Sequence, residues 1–323
     1  MLRYRALFTR LVLLLGAATF GYLLYKFDPG RLLDHLLDFG WGFAVLLPFQ
    51  ILDHMLNAAG WKLAFPPGEA GRAPFWDLVR VRIAGDGVNY LTPSANIGGE
   101  FVRPGMLRSD LPDDVKVTSV LVAKVTQSAG QAFFILSGIG YLVHARLFDF
   151  EGRQATYGAI GVGGILFGLV VGVLLLVMEP PGWAVRRFPE AVRLSAPVRG
   201  LLKSYLRRHP LRMLGSTACF MLGYSWGAAE IWIICRFLGL HIGVETAFSI
   251  EFLSNLVDSL AFWVPAKMGT QEAGKTAIFA GLGLQPEMGF TLGVIRHVRE
   301  LLWAGFGLAL YAGHQRRRAA LSR

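Results

Sequence analysis

Six apolar runs, 11–25, 39–61, 117–143, 155–178, 213–238 and 288–312, recur along the 323-residue chain. Each approaches or exceeds the roughly 20 residues that carry an α-helix across about 30 Å of hydrocarbon. Charged residues make up only 17% of the sequence, against about one-quarter in soluble domains. The pattern predicts an all-α polytopic membrane protein. In the first run, Arg3, Arg5 and Arg10 precede an apolar core as they would in a signal peptide. No small-x-small cleavage site follows Tyr25, so the run reads as a retained first helix.

The net charge of +10 is distributed as a membrane topology would distribute it, which argues against nucleic acid. Arg3, Arg5 and Arg10 precede the first helix. Seven Lys/Arg lie from Lys62 to Lys116, eight from Arg186 to Arg212, and Arg316, Arg317, Arg318 and Arg323 close the chain. The alternate connections carry only Lys26 and Arg31, then Arg146 and Arg153. By the positive-inside rule both termini are cytoplasmic, with a basic loop over 179–212 and a basic tail over 313–323. Cys219 and Cys235, about 24 Å apart along one helix, cannot pair.

Five crossings from inside leave the chain outside near His241, and the run 288–312 returns it. The stretch Val244–Leu284 therefore enters and leaves on one side. It reads as half-helices 245–263 and 271–284, broken at "FWVPAKMGTQEAGK" (262–275) by Pro265 and Gly269. Two full crossings would leave the same termini, but the second half is short and carries Glu272 and Lys275 in its first turn. A re-entrant hairpin is favoured, with the N–H groups around Thr270–Glu272 facing a cavity and Glu272 able to pair with Lys275. A solvated loop is the plain alternative.

A second segment, "YLTPSANIGGEFVR" (90–103), follows the apolar-leaning stretch 74–92 and breaks at Pro93, Gly98 and Gly99. A shift of 172 residues places Asp86 on Asp258, Pro93 on Pro265, Glu100 on Glu272, Arg103 on Lys275 and Lys124 on Arg296. The chain thus reads as one membrane domain, 1–323, built from two inverted repeats over about 7–145 and 155–312. Each repeat runs helix, helix, re-entrant hairpin, helix. That gives about six spanning helices and two broken hairpins, a transporter pattern. Broken backbone at membrane depth belongs in protein or beside a wet cavity.

Lys124, Gln127, Ser128 and Gln131 share one face of the third spanning helix. Arg296, Arg299 and Glu300, with His297 beside them, do so on the last. Intramembrane charge is costly and usually marks a pathway. Arg296 and Glu300, four apart, can neutralise one another as a structural pair. Two equivalent cationic stripes favour a shared anion-binding cavity. Gln50, Asp53 and Asn57 form a further polar face, read as packing glue, and the glycines of "GVGGILFG" (161–168) as close-packing positions. Walker, GxSxG and metal-spaced Cys/His motifs are missing, so neither cofactor nor metal is expected.

The segments "TPSANIGGEFVRPGMLR" and "FWVPAKMGTQEAGKTAIFAGLGL" resemble the membrane domain of the lysylphosphatidylglycerol synthase, or flippase-like, family over about 10–315. The resemblance implies that Pro93, Gly98, Glu100, Arg103, Pro265, Gly269, Gln271 and Glu272 occupy motif positions, with Lys124 and Arg296 at intramembrane basic ones. Two departures stand out: Lys124 replaces the usual arginine, and Ala266-Lys267 replaces a usual Gly-Gly. Long members add a soluble aminoacyl-transferring domain. None follows by Arg323, so synthase chemistry is not expected.

The resulting expectation is a non-enzymatic translocator of an anionic or polar-headed lipid in a bacterial inner membrane. Glu100, Arg103, Lys124, Gln271, Glu272, Lys275, Arg296, Arg299 and Glu300 would meet the headgroup, and lipid-biosynthesis proteins are possible partners. An intramembrane lipid transferase with Glu100 or Glu272 as base near His297, or an accessory subunit of a lipid-synthesis complex, are the rivals.

Overall fold

A computed structural model describes residues 2–91, 98–107, 110–144, 180–187, 189–261 and 264–321. Every regular element among them is helical: α1 (Leu2–Lys26), α2 (Pro29–Phe39), α3 (Gly42–Leu63), α4 (Phe75–Leu91), α5 (Gly98–Met106), α6 (Asp113–His144), α7 (Gly182–Arg187), α8 (Pro189–Arg208), α9 (Pro210–Phe237), α10 (Val244–Leu260), α11 (Thr270–Gly281) and α12 (Pro286–Leu321). The chain is an all-helical membrane protein. Among the described residues, α6, over Asp113–Leu142, and α9 are long and apolar enough to cross a bilayer, and α2 and α3, bent by 70° at their junction, meet the same test only when taken together. The run 155–178 lies outside the described residues.

The run expected as a helix over 39–61 is α3, Gly42–Leu63, and a separate helix, α2, precedes it where only a connection was expected. Asp28 caps α2, its Oδ1 accepting from Gly30 N at 2.8 Å, and Pro29 supplies the preset first-turn φ. At Gly40 (φ 4, ψ −82) the helix stops, and α3 starts two residues later.

The chain forms two compact units. One comprises Met1–Ala58, Pro74–Arg108 and Gly223–Arg323, the other Ala59–Ala73 and Ser109–Leu222. In the first unit α12 packs along both α4 and α11, α4 meets α5, and α10 meets α11. Glycines permit these crossings. A Cβ on Gly87 would lie 2.7 Å from Ala304 O, and one on Gly293 2.9 Å from the Glu272 Cα. Small residues let helix backbones approach where no hydrophobic force drives association. Phe39, Leu46, Ile231, Ile250, Phe279, Leu292 and Ile295 fill an apolar core around them.

Within the second unit, polar side chains of α8 and α9 bond to the C-terminal end of α3. Tyr205 Oη donates to Leu63 O at 2.6 Å, Arg212 reaches the Lys62 and Leu63 carbonyls, and Ser216 Oγ donates to Gly60 O at 2.8 Å. These donors satisfy carbonyls that a helix C-terminus leaves open.

Candidate functional site

The break between α10 and α11 is a short 3₁₀ turn, Pro265–Lys267, followed by Met268 and Gly269. Ala266 and Lys267 both have φ 52, and Gly269 has φ 75. For glycine that region is ordinary; for each of the other two it costs about 1–2 kcal/mol. Gly269 has a second constraint, because a Cβ there would run into the Gly16 backbone of α1. Lys267 gains contacts from its placement. Its Nζ lies 2.8 Å from Asp258 Oδ2 on α10 and 3.7 Å from Glu300 Oε1 on α12.

Beside this break a polar cavity encloses about 680 Å³, counting its open mouth. α3 contributes Gln50 and Asp53, and α9 Trp226 and Glu230. α10 contributes Glu251 and Asp258, the break Lys267, α11 Gln271 and Lys275, and α12 Arg296, Arg299 and Glu300.

Most of these charges are already engaged. Arg296 Nη1 donates to Glu251 Oε2 at 2.6 Å and Nη2 to Glu230 Oε2 at 3.1 Å. Arg299 is paired with Glu230, donates to Gln50 Oε1 at 2.6 Å and meets Glu300 at 3.3 Å. Both oxygens of Asp53 accept from amides, Oδ2 from Gln50 at 2.9 Å and Oδ1 from Asn57 at 3.0 Å. Gly227 leaves the space that the Glu251 carboxylate fills.

Lys275 differs. It is only 2% exposed, lines the cavity, and makes no hydrogen bond or ion pair with another described residue. Several buried polar atoms of the lining also lack partners: Glu230 Oε1, Glu300 Oε2, Gln271 Oε1 and the Nε atoms of Arg296 and Arg299. Buried polar groups normally find partners. A lining with this many open valences is suited to receiving a polar ligand.

Of the residues expected from sequence, Gln271, Lys275, Arg296, Arg299 and Glu300 are brought together here. Glu272 is fully buried and takes His297 rather than Lys275, with Oε1 2.6 Å from Nδ1. Arg296 pairs across helices rather than with Glu300. Glu100 and Arg103 pair with each other on α5, and Arg103 also meets Asp86 of α4 at 2.6 Å. Gly98 starts α5, and Gly99 N donates to Asn89 Oδ1 at 2.6 Å. Lys124 is half-buried on α6 in the second unit. Pro93 lies outside the described residues. Asp53, Glu230, Glu251 and Lys267 were not expected in the site. Glu230 and Glu251 are carboxylates inside apolar helices, and that alone is a usable signal.

A sequence model of the lysylphosphatidylglycerol synthase TM region matches residues 8–307. The chain belongs to this family. Nothing among curated proteins or among solved structures matches it. Every lining residue of the cavity, from Gln50 to Glu300, falls within the span matched to the family.

Proposed function

We propose that this protein is a lipid translocator of a bacterial inner membrane, carrying an anionic or polar-headed lipid between leaflets without modifying it. The observation that carries the reading is Lys275, a buried cation that lines the cavity with no pairing partner among the described residues. A buried charge without a partner is expensive. A site that keeps one is arranged for a ligand of opposite charge. The family, named for a lipid-synthesising membrane protein, supports a lipid as that ligand.

In this reading the fold is two inverted repeats with six crossings, two opposed hairpins and both termini cytoplasmic. Its support is that helix breaks fall at repeat-related positions, between α4 and α5 and between α10 and α11. Asp86 and Asp258, equivalent under the 172-residue shift, each hold a cation near their break: Arg103 in one case, Lys267 in the other. No cofactor takes part, and lipid-biosynthesis proteins are the expected neighbours.

The test uses purified protein in phosphatidylcholine vesicles carrying a fluorescent phosphatidylglycerol, with dithionite quenching to report the leaflet. Wild type moves the probe, and Lys275→Gln slows it about tenfold or more, the worth of one charge-assisted hydrogen bond. A Lys275→Gln rate equal to wild type would exclude Lys275 as the headgroup contact. A changed lipid mass would favour the transferase.

A further inference from the structure

The cavity's charge inventory raises a difficulty for a purely anionic cargo. Among the described residues that line it are five acidic side chains, Asp53, Glu230, Glu251, Asp258 and Glu300, and four basic ones, Lys267, Lys275, Arg296 and Arg299, with Arg82 also acting on Asp53. A singly anionic headgroup would add a further negative charge to this low-dielectric lining. Uncompensated buried charge of that kind is strongly disfavoured. A proton entering with the lipid would cancel it.

One group beside the cavity is built to hold a proton. His297 and Glu272 each follow a lining residue directly, Arg296 on α12 and Gln271 on α11. Their side chains are 13% and 1% exposed, and Nδ1 and Oε1 are 2.6 Å apart. Glu272 Oε2 is buried without a partner. Around them, α4 supplies Tyr90, whose ring meets His297 edge-on at 6.3 Å and whose hydroxyl is buried without a partner. The break supplies Lys267 and α12 itself Glu300 as the charged neighbours of His297, and α1 brings Gly16 against Gly269. Glu272 could have taken the ammonium of Lys275, three residues on. It takes instead the one side chain whose charge ordinarily changes near neutral pH.

We propose that the His297–Glu272 pair is a proton-binding site, and that an anionic headgroup and one proton are carried together in the same direction. This rests on the translocation reading above. Protonation leaves an imidazolium–carboxylate pair, neutral as a unit, where a lone carboxylate stood, and so cancels the charge the headgroup brings. Linkage makes the effect mutual: headgroup binding raises proton affinity and a proton raises headgroup affinity.

The experiment uses wild-type protein in sealed phosphatidylcholine vesicles with fluorescent phosphatidylglycerol and a one-unit pH gradient, acid outside. One proton per singly charged lipid concentrates the probe about tenfold in the inner, alkaline leaflet at equilibrium, because one pH unit is a factor of ten in proton activity. The result does not depend on protein orientation, since only the end point is read. His297→Gln keeps a hydrogen-bonding side chain but cannot take the proton, so the probe spreads evenly from whichever leaflet it starts in. Wild-type movement that ends evenly despite the gradient would overturn the coupling and leave translocation standing. Tenfold accumulation by His297→Gln would overturn the assignment to this pair. No movement of the probe by wild type would overturn both.

Discussion

Replacing Arg296 with glutamine tests whether the cavity is held together by charge or by ordinary hydrogen bonding. Considered alone, an intramembrane arginine is a cost that glutamine would relieve. The geometry reverses that expectation. Arg296 is 8% exposed and bridges Glu251 on α10 and Glu230 on α9. Glu230 keeps Arg299 when Arg296 is lost, but Glu251 is left with only Asn255 Nδ2 at 3.0 Å. Stranding a buried charge in this way costs about 3–5 kcal/mol. Loss of a neutral interhelical hydrogen bond costs about 0.6 kcal/mol on average and about 1.7 at most. Equilibrium unfolding in mixed SDS and mild detergent, followed by tryptophan fluorescence, resolves the two. Arg296→Gln should cost at least about 3 kcal/mol. Adding Glu251→Gln should recover most of that, because the stranded charge goes with it. A single variant within about 1 kcal/mol of wild type would refute the ion-pair argument. So would a double variant no more stable than the single.

Ala266→Gly should stabilise the protein by about 1 kcal/mol in the same assay, because glycine adopts φ 52 without the penalty that alanine carries there. For the inverted repeat, single cysteines at Ser94 and Thr270, in a background lacking Cys219 and Cys235, should react with an impermeant thiol reagent from opposite sides of the membrane; labelling of both from one side would exclude it.

The helix boundaries around the break were readable because their causes are local. Pro265 and Gly269 end one apolar stretch and begin another, so half-helices expected at 245–263 and 271–284 became Val244–Leu260 and Thr270–Gly281. Likewise the stretch 74–92 became Phe75–Leu91. Helix α2 was missed because Arg31, Asp34, His35 and Asp38 interrupt the apolarity of Pro29–Phe39, so no apolar run marks it.

Charge partnerships were the illegible part, because sequence spacing offers only neighbours on one helix. Arg296 and Glu300 stand four apart and satisfy the helical pairing rule, yet Arg296 finds its partners 45 and 66 residues away. Lys267 could be seen only as a lysine where the family commonly has glycine. In the fold, the left-handed backbone at that position delivers its ammonium to Asp258. One inference was nonetheless within reach. Glu230 and Glu251 each sit in an apolar helix, and a carboxylate there must be met by a cation from another segment. Arg296 and Arg299 were the cations already identified inside an apolar run of the same half of the chain. Combining the two observations would have placed α9, α10 and α12 around one polar centre before any coordinates, because buried charge constrains helix arrangement more tightly than apolar packing does.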